Sequence, residues 1–446
     1  VKMRVSGFLL LVTIMFSLSW AHGEGGGPKT IVVDGHMGAL KVAIPDFRAK
    51  DGALSDLCIS LREILSHDLN FSGILESLET RAFIQDTDQR DMSRGKIDFA
   101  EWRRLQADFL IKGTFTLQEE RLSIEAILYD CRSGKDIVGR RYSGPPSLQR
   151  NMIHRFADEA VYYLTGRHGC AESQIAFVSN LTGHRELYIM DYDGANVRQL
   201  TRNKSLVVAP TWSPDGKRLA FTTYHQADYP ALFLIHADGT GLKFVSTSGS
   251  LNVATAWHPR MDLVAITLNI YANPDIYTVD LASGARKRLT EATGVDISPT
   301  WSSDGKQICF CSDRRGSPQL YIMDQDGGNV HCITVGKGRY NCSPDWSPVI
   351  DDKDRGAWIA FCSLRNKFDI AMIRPTGDDI HYLTQGQGNS EDPSWSPDGR
   401  HVVFTSNPAG RRRLYVATVS NGQVRPIPGP EGQITTPAWG PRLAPK

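Results

Sequence analysis

Twelve histidines, eight cysteines and 49 acidic residues give this chain raw material for catalysis or metal binding. Their spacing supplies none of the usual arrangements. No Gly-x-Ser-x-Gly elbow is present to expose a serine nucleophile, and His-Glu-x-x-His is missing. The histidines form no close pair and there is no Cys-x-x-Cys, which leaves zinc and dithiol redox chemistry without a local ligand set. Neither a phosphate-cradling Gly-x-x-x-x-Gly-Lys nor a Gly-x-Gly-x-x-Gly occurs. Asp191-Tyr192-Asp193-Gly194-Ala195-Asn196 and Asp324-Gln325-Asp326-Gly327-Gly328-Asn329 resemble half of a calcium loop, but lack its third early ligand and closing glutamate. Both read better as glycine hairpin turns between strands. The expectation is no catalytic residue, no metal site and no cofactor.

The chain is organised instead around a repeated stretch. Pro393-Ser394-Trp395-Ser396-Pro397-Asp398-Gly399 has close copies at Pro210–Gly216 and Pro299–Gly305, and weaker ones around Trp257, Trp346 and Trp439. Successive tryptophans lie 45, 44, 45, 49 and 44 residues apart. A period of about 40–45 residues built from short strands marks a β-propeller blade. Each period reads as a strand ending in Trp, a Ser-Pro-Asp-Gly turn, a second strand, a third that often carries Tyr, and a fourth. Six second strands can be counted: Ile175-Ala176-Phe177, Leu219-Ala220-Phe221, Val264-Ala265-Ile266, Ile308-Cys309-Phe310, Ile359-Ala360-Phe361 and Val402-Val403-Phe404. The first unit lacks a Trp strand and the last Trp has no unit after it. Pro437-Ala438-Trp439 is therefore expected to supply the innermost strand of the first blade and close a ring of six, which removes open sheet edges.

Length, at 446 residues, argues for more than one domain. A formal charge of +1 gives no sign of a nucleic-acid partner. Residues 1–21 carry Lys2 and Arg4, an apolar run from Phe8 to Leu18, and Ser19-Trp20-Ala21. This reads as a secretory signal cut near Ala21; the run is too short for a membrane-spanning helix. Export would allow disulfides, and a bridge among Cys309, Cys311, Cys332, Cys342 and Cys362 competes with the reading of these residues as small buried hydrophobes. Residues 22–39 form an arm whose β-prone segment is Lys29-Thr30-Ile31-Val32-Val33-Asp34. Residues 40–168 alternate strand and helix and read as a small α/β domain; 169–446 form the propeller. The fold class is thus a small α/β N-terminal domain followed by an all-β six-bladed β-propeller.

With no chemistry in view, surface becomes the asset. Segments from each fourth strand to the next first strand converge on one mouth of the channel. They bring Asn252, Val253, Thr255, Asp296, Ile297, Ser298, Tyr340, Asn341, Ser390, Glu391 and Thr435 together as exposed loop residues. Polar groups around apolar ones suit a docking surface.

The signal peptide, the arm, the α/β domain and six Pro-x-Trp-Ser-Pro-Asp-Gly blades ending in Pro437-Ala438-Trp439-Gly440-Pro441 together resemble the TolB family of the periplasmic Tol–Pal system. Ser312-Asp313-Arg314-Arg315-Gly316-Ser317-Pro318-Gln319-Leu320-Tyr321 resembles that family's blade signature. The resemblance covers nearly all of the mature chain. It implies a non-enzymatic periplasmic adaptor. Such an adaptor binds the peptidoglycan-associated lipoprotein Pal through the propeller mouth and TolA, of the inner-membrane motor, through Lys29–Asp34. The system supports outer-membrane integrity and constriction during cell division, and is linked with protein import. By position, the family's Pal-contacting loops fall on Ser248–Ala256 and Asp296–Pro299; the family's acidic residue before Pro-Thr-Trp is Ser298 here. The competing reading is a lactonase- or glycosidase-like propeller enzyme, which would need acids or histidines at equivalent channel positions. The residues before each Trp are Thr211, Ala256, Thr300, Asp345, Ser394 and Ala438, with one carboxylate in six.

Overall fold

In the computed structural model, the described residues are 39–52, 55–79, 83, 97–224, 229–246, 252–271, 273–348 and 357–443. The signal segment and the arm expected at Lys29–Asp34 lie outside them. Among the described residues, no helix is long and apolar enough to cross a membrane.

The N-terminal part is a mixed sheet with β1 (Leu40–Ala43), β2 (Arg48–Ala49), β3 (Leu75–Ser77), β4 (Phe109–Gln118), β5 (Arg121–Asp130) and β6 (Lys135–Gly144). The order is β3-β1-β4-β5-β6, with β2 added beside β4. β1 runs parallel to both neighbours, and β4 to β6 form an antiparallel meander. Helices α1 (Asp56–Phe71) and α3 (Gln149–Thr165) cover one face, with Leu61, Leu65, Ile153, Phe156 and Leu164 packed on Ile111 and Ile124. The short α2 (Phe99–Arg104) brings Trp102 to the other face, against Leu110 and Tyr129. That double cover explains why β4 reads as one apolar run, not as an alternation. Gly113 sits where an added Cβ would meet the Phe47 ring at 2.1 Å, so only glycine lets that ring lie across β4. α3 stops at Gly166 in the left-handed conformation, as its sequence signal predicts. The short strands β2 and β3 and helix α2 carried too few residues for a periodic signal.

The propeller has six four-stranded antiparallel sheets. The first blade takes Ile434–Trp439 as its innermost strand, followed by Gln174–Ser179, Glu186–Asp191 and Arg198–Gln199. The chain's tail therefore does close the ring. The innermost strands of the second to sixth blades are Val207–Trp212, Asn252–Trp257, Asp296–Trp301, Asn341–Trp346 and Ser390–Trp395. All six predicted second strands are present. The second strands are buried almost throughout, because each blade is sandwiched between two others.

The repeated tryptophan ties one blade to the next. Trp212 donates its indole N–H to the Ala438 carbonyl (3.1 Å), Trp257 to Thr211 (3.3 Å), Trp301 to Ala256 (3.2 Å) and Trp395 to Asp345 (3.0 Å). Each acceptor is the residue before the tryptophan of the preceding blade. Where that residue has a polar side chain, it makes a second tie. The backbone N–H of Trp346 donates to Thr300 Oγ1 (3.1 Å), that of Trp395 to Asp345 Oδ2 (2.7 Å) and that of Trp439 to Ser394 Oγ (3.0 Å). Cys311, in the fourth blade's second strand, is disulfide-bonded to Cys342, in the fifth blade's innermost strand, which resolves the open cysteine question for one pair.

The two parts meet through a buried polar contact. Asp68 of α1 accepts from Tyr192 Oη of the first blade (2.5 Å) and lies 2.7 Å from His154 Nδ1 of α3. Asp158 of α3 accepts the N–H groups of Ala171 (2.9 Å) and Glu172 (3.0 Å).

Trp301→Ala removes a buried ring, its bond to Ala256 and its edge-on contact with His258 (centroids 4.8 Å apart). It should lower unfolding stability by about 3–5 kcal/mol. Chemical denaturation checks this, and a loss below about 1 kcal/mol would show that the tryptophan does not hold the blades together.

Candidate functional site

The six innermost strands run side by side around a central channel of about 570 Å³, lined by the Pro-x-Trp segments. Each strand begins at one end of the channel and reaches its tryptophan at the other. The residues singled out from sequence are therefore brought to one end. They are not in free loops, however. Asn252, Val253 and Thr255 belong to the strand Asn252–Trp257, and Asp296, Ile297 and Ser298 to Asp296–Trp301. Asn341, Ser390, Glu391 and Thr435 likewise open innermost strands, or lie one residue in, and Tyr340 directly precedes one. The pairing extends further toward the mouth than the turn signals suggested, because a bulge re-aims each strand and leaves room for two more ladder pairs.

Burial separates these residues into two groups. Asp296 is fully buried and gripped by Arg314 Nη2 at 3.0 and 2.9 Å to its two oxygens. Asn341 is fully buried, donating to Gln319 Oε1 (2.8 Å) and the Lys337 carbonyl (3.0 Å). Ser390 is buried against Ser406 (3.0 Å). The expected exposure of these three is thus corrected: they are framework. Ile297, Ser298, Tyr340, Glu391 and Thr435 are half-buried and reach the rim. Tyr340 leans edge-on against Phe368 (centroids 5.5 Å apart), and Glu391 pairs with Arg412. The backbone of Asn252, Val253 and Thr255 pairs with Leu268, Thr267 and Ile266.

A clasp absent from the sequence reading holds the approach to the rim. Thr201, Thr290, Thr334 and Thr384 each accept a backbone N–H at the start of the third strand (2.9, 3.0, 3.0 and 2.9 Å). Their hydroxyls turn to Glu186 (2.5 Å), Asp275 (3.4 Å), Gln319 (2.7 Å) and Asp369 (2.8 Å). These acceptors then catch the incoming segment: Glu186 takes the Lys204 N–H (2.7 Å) and Asp369 the Gly386 N–H (2.7 Å). The recurring Leu-Thr or Ile-Thr, 14 or 15 residues after a polar residue, was the available signal.

Strain marks the same ring. Ala209, Ser298, Ser343, Asp392 and Thr436, each directly before a proline, have φ between 46° and 55°. A non-glycine residue in this region is uncommon, and a following proline disfavours helical backbone further. Five repeats of one strained geometry point to a position the fold over-determines.

Two carboxylates face the channel. Burial pushes the Asp345 carboxyl up to about 6, against the N–H and hydroxyl groups that favour its charged form. Burial, with Glu391 adding to it, raises Asp392 as well. Asp345 is committed to the ties described above, so it acts as a joint between blades and has no free oxygen pair facing a substrate.

Since the folded pKa of Asp345 lies above the ordinary 3.8, its contribution to stability is full below pH 4 and disappears as pH rises through 6. Relative to Asp345→Asn, the native chain should therefore lose about 3 kcal/mol of stability between pH 4 and 7. Denaturant titrations at several pH values check this; parallel curves would contradict it.

Comparison with known proteins agrees with this architecture. A family profile described as the TolB beta propeller domain matches residues 161–443, and one described as the TolB amino-terminal domain matches 30–137. A protein from Chlorobium luteolum named as a TolB homologue is 32% identical over 391 residues, 88% of this chain and 87% of its own length. The Tol-Pal system protein TolB of Syntrophotalea carbinolica is 40% identical over 166 residues, 37% of this chain and 39% of that protein. The crystal structure of TolB from Acinetobacter baumannii superposes with a TM-score of 0.77 at 26% identity, covering 90% of this chain and 97% of that one. The chain belongs to the TolB family.

Proposed function

We propose that this protein is a non-enzymatic periplasmic adaptor of the Tol–Pal system. Its propeller mouth docks the peptidoglycan-associated lipoprotein Pal, and residues Lys29–Asp34 bind TolA, linking the inner-membrane motor to the outer membrane during constriction. The observation that carries this reading is the rim itself. Ile297, Tyr340, Glu391 and Thr435 stand half-buried in a ring whose backbone is fixed by Asp296, Asn341 and the threonine clasps. A pre-ordered ring of mixed apolar and polar groups loses little entropy on docking. Membership in the family of Tol-Pal system proteins supports the choice of partners.

The test is calorimetric titration of the mature chain with soluble Pal and with soluble TolA. Tyr340→Ala combined with Glu391→Gln should weaken Pal binding at least ten-fold, or about 1.4 kcal/mol, with little change in far-ultraviolet dichroism. Removal of residues 29–34 should abolish TolA binding and leave the folded propeller able to take Pal. Undiminished affinity in both variants would overturn the assignment.

A further inference from the structure

At the junction of the two parts, three residues from two distant segments bring their donor atoms together. Cys170 lies in the connection after α3, and Asp398 and His401 belong to the Ser-Pro-Asp-Gly turn and second strand of the sixth blade. The Cys170 Sγ, an Asp398 carboxylate oxygen and a His401 ring nitrogen all lie within 4.8 Å of one another, and all three residues are buried. His401 is fully buried, and neither ring nitrogen makes a well-formed hydrogen bond, the Phe71 carbonyl offering only a poor one. A buried polar atom without a partner is costly and calls for an explanation.

The sixth blade departs here from its siblings. In the second and fourth blades the same turn leads from Asp215 to Arg218 and from Asp304 to Gln307, and both end residues are half-exposed. In each turn the aspartate Oδ1 holds the serine hydroxyl and a backbone N–H, so Asp398 Oδ1 repeats a structural duty. Its Oδ2 contacts Arg400 Nη1 at 3.2 Å and keeps further lone pairs. At this blade the N-terminal part covers the turn. The Phe71 ring lies 4.6 Å from the His401 ring, and Trp439 stacks at 6.4 Å. Arg400 reaches from the turn to Thr165 Oγ1 (3.1 Å) and the His168 carbonyl (3.3 Å).

We propose that Cys170, Asp398 and His401 bind a zinc ion that pins the connection after α3 to the sixth blade. The donor set is one sulfur, one nitrogen and one oxygen, which suits zinc better than calcium or magnesium. Coordination takes a neutral imidazole and a carboxylate and releases the thiol proton. The two negative ligands then balance the two positive charges of the ion, which suits a closed interior. Tetrahedral zinc holds its donors about 3.5 Å apart, so the side chains close by about 1 Å around the ion. Of the two guanidinium groups beside the site, Arg400 is shared between Asp398 Oδ2 (3.2 Å) and Thr165 Oγ1 (3.1 Å), and Arg425 lies over the Phe71 ring at 4.0 Å.

The full mature chain, stripped with chelator, is titrated with cobalt(II) as a spectroscopic stand-in and then with zinc(II). One equivalent of cobalt should produce a thiolate-to-metal charge-transfer band, which zinc then removes. Cys170→Ala should abolish the band. His401→Gln, which keeps a polar side chain of similar reach, should weaken cobalt binding at least about ten-fold while dichroism stays native. Zinc should raise the thermal midpoint of the native chain and leave that of both variants unmoved. The absence of a thiolate band in the folded native chain would overturn the proposal. A band that persists in Cys170→Ala would also overturn it, since the metal would then sit on another cysteine.

Discussion

The hydrogen bond from the tryptophan indole to the carbonyl before the preceding tryptophan, made by Trp212, Trp257, Trp301 and Trp395, is the constraint on which the rest depends. It crosses from blade to blade, so it sets the rotation between sheets and hence the number that fit around the axis. The bulk of the ring fills the wedge between blades, and the bond fixes its orientation. Side chains tie three joints as well: Thr300 holds the Trp346 N–H, Ser394 the Trp439 N–H, and Asp345 the Trp395 N–H beside the indole bond already there. The innermost strands are thereby held as a rigid barrel of edges, and the mouth inherits that rigidity. The proline two residues before the tryptophan in five of the six innermost strands belongs to the same device. It lacks an N–H, so the bulge it follows leaves no ladder donor unpaired.

Ring closure by the chain's tail has a further consequence. The first blade contains both Trp439 and Tyr192, and both touch the N-terminal part: Trp439 lies 6.3 Å from Phe71 and donates to Ser173 Oγ (2.8 Å), while Tyr192 donates to Asp68. The blade that is spliced from two distant segments is therefore also the blade on which the α/β part rests. Burial would lower the His154 pKa, but the adjacent Asp68 carboxylate outweighs it and holds it above the ordinary value. Asp68, Tyr192 and His154 form a buried core of charge and hydrogen bonds, of the kind that fixes relative orientation more than it adds stability. The mouth and β1 are thus parts of one continuous framework.

The repeated blade was legible because its signals are redundant: a period, a turn with a fixed mechanism and a tryptophan at each joint all agree. The splice was legible because the first unit visibly lacked a strand that the tail visibly had. The mouth was legible in position but not in exposure. Asp296 and Asn341 look like loop residues in sequence, yet one meets Arg314 and the other meets Gln319, partners 18 and 22 residues away. Polar type alone cannot distinguish a solvated side chain from one bonded inside a turn. The threonine clasps were missed for the same reason, since a lone Leu-Thr carries no weight until its acceptor is known. The Cys170, Asp398 and His401 cluster could not be read at all, because Cys170 meets the other two only once the connection after α3 packs against the sixth blade.

The central claim is that the rim at the entry of the innermost strands is the surface that meets the partner. Hydrogen exchange of the mature chain, measured with and without soluble Pal, tests it most directly. The account predicts added protection at residues 296–298, 340–341, 390–391 and 434–435, with the outer strands of the blades unchanged. Protection confined to the outer strands or to the tryptophan end of the channel, with the rim unaffected, would contradict it.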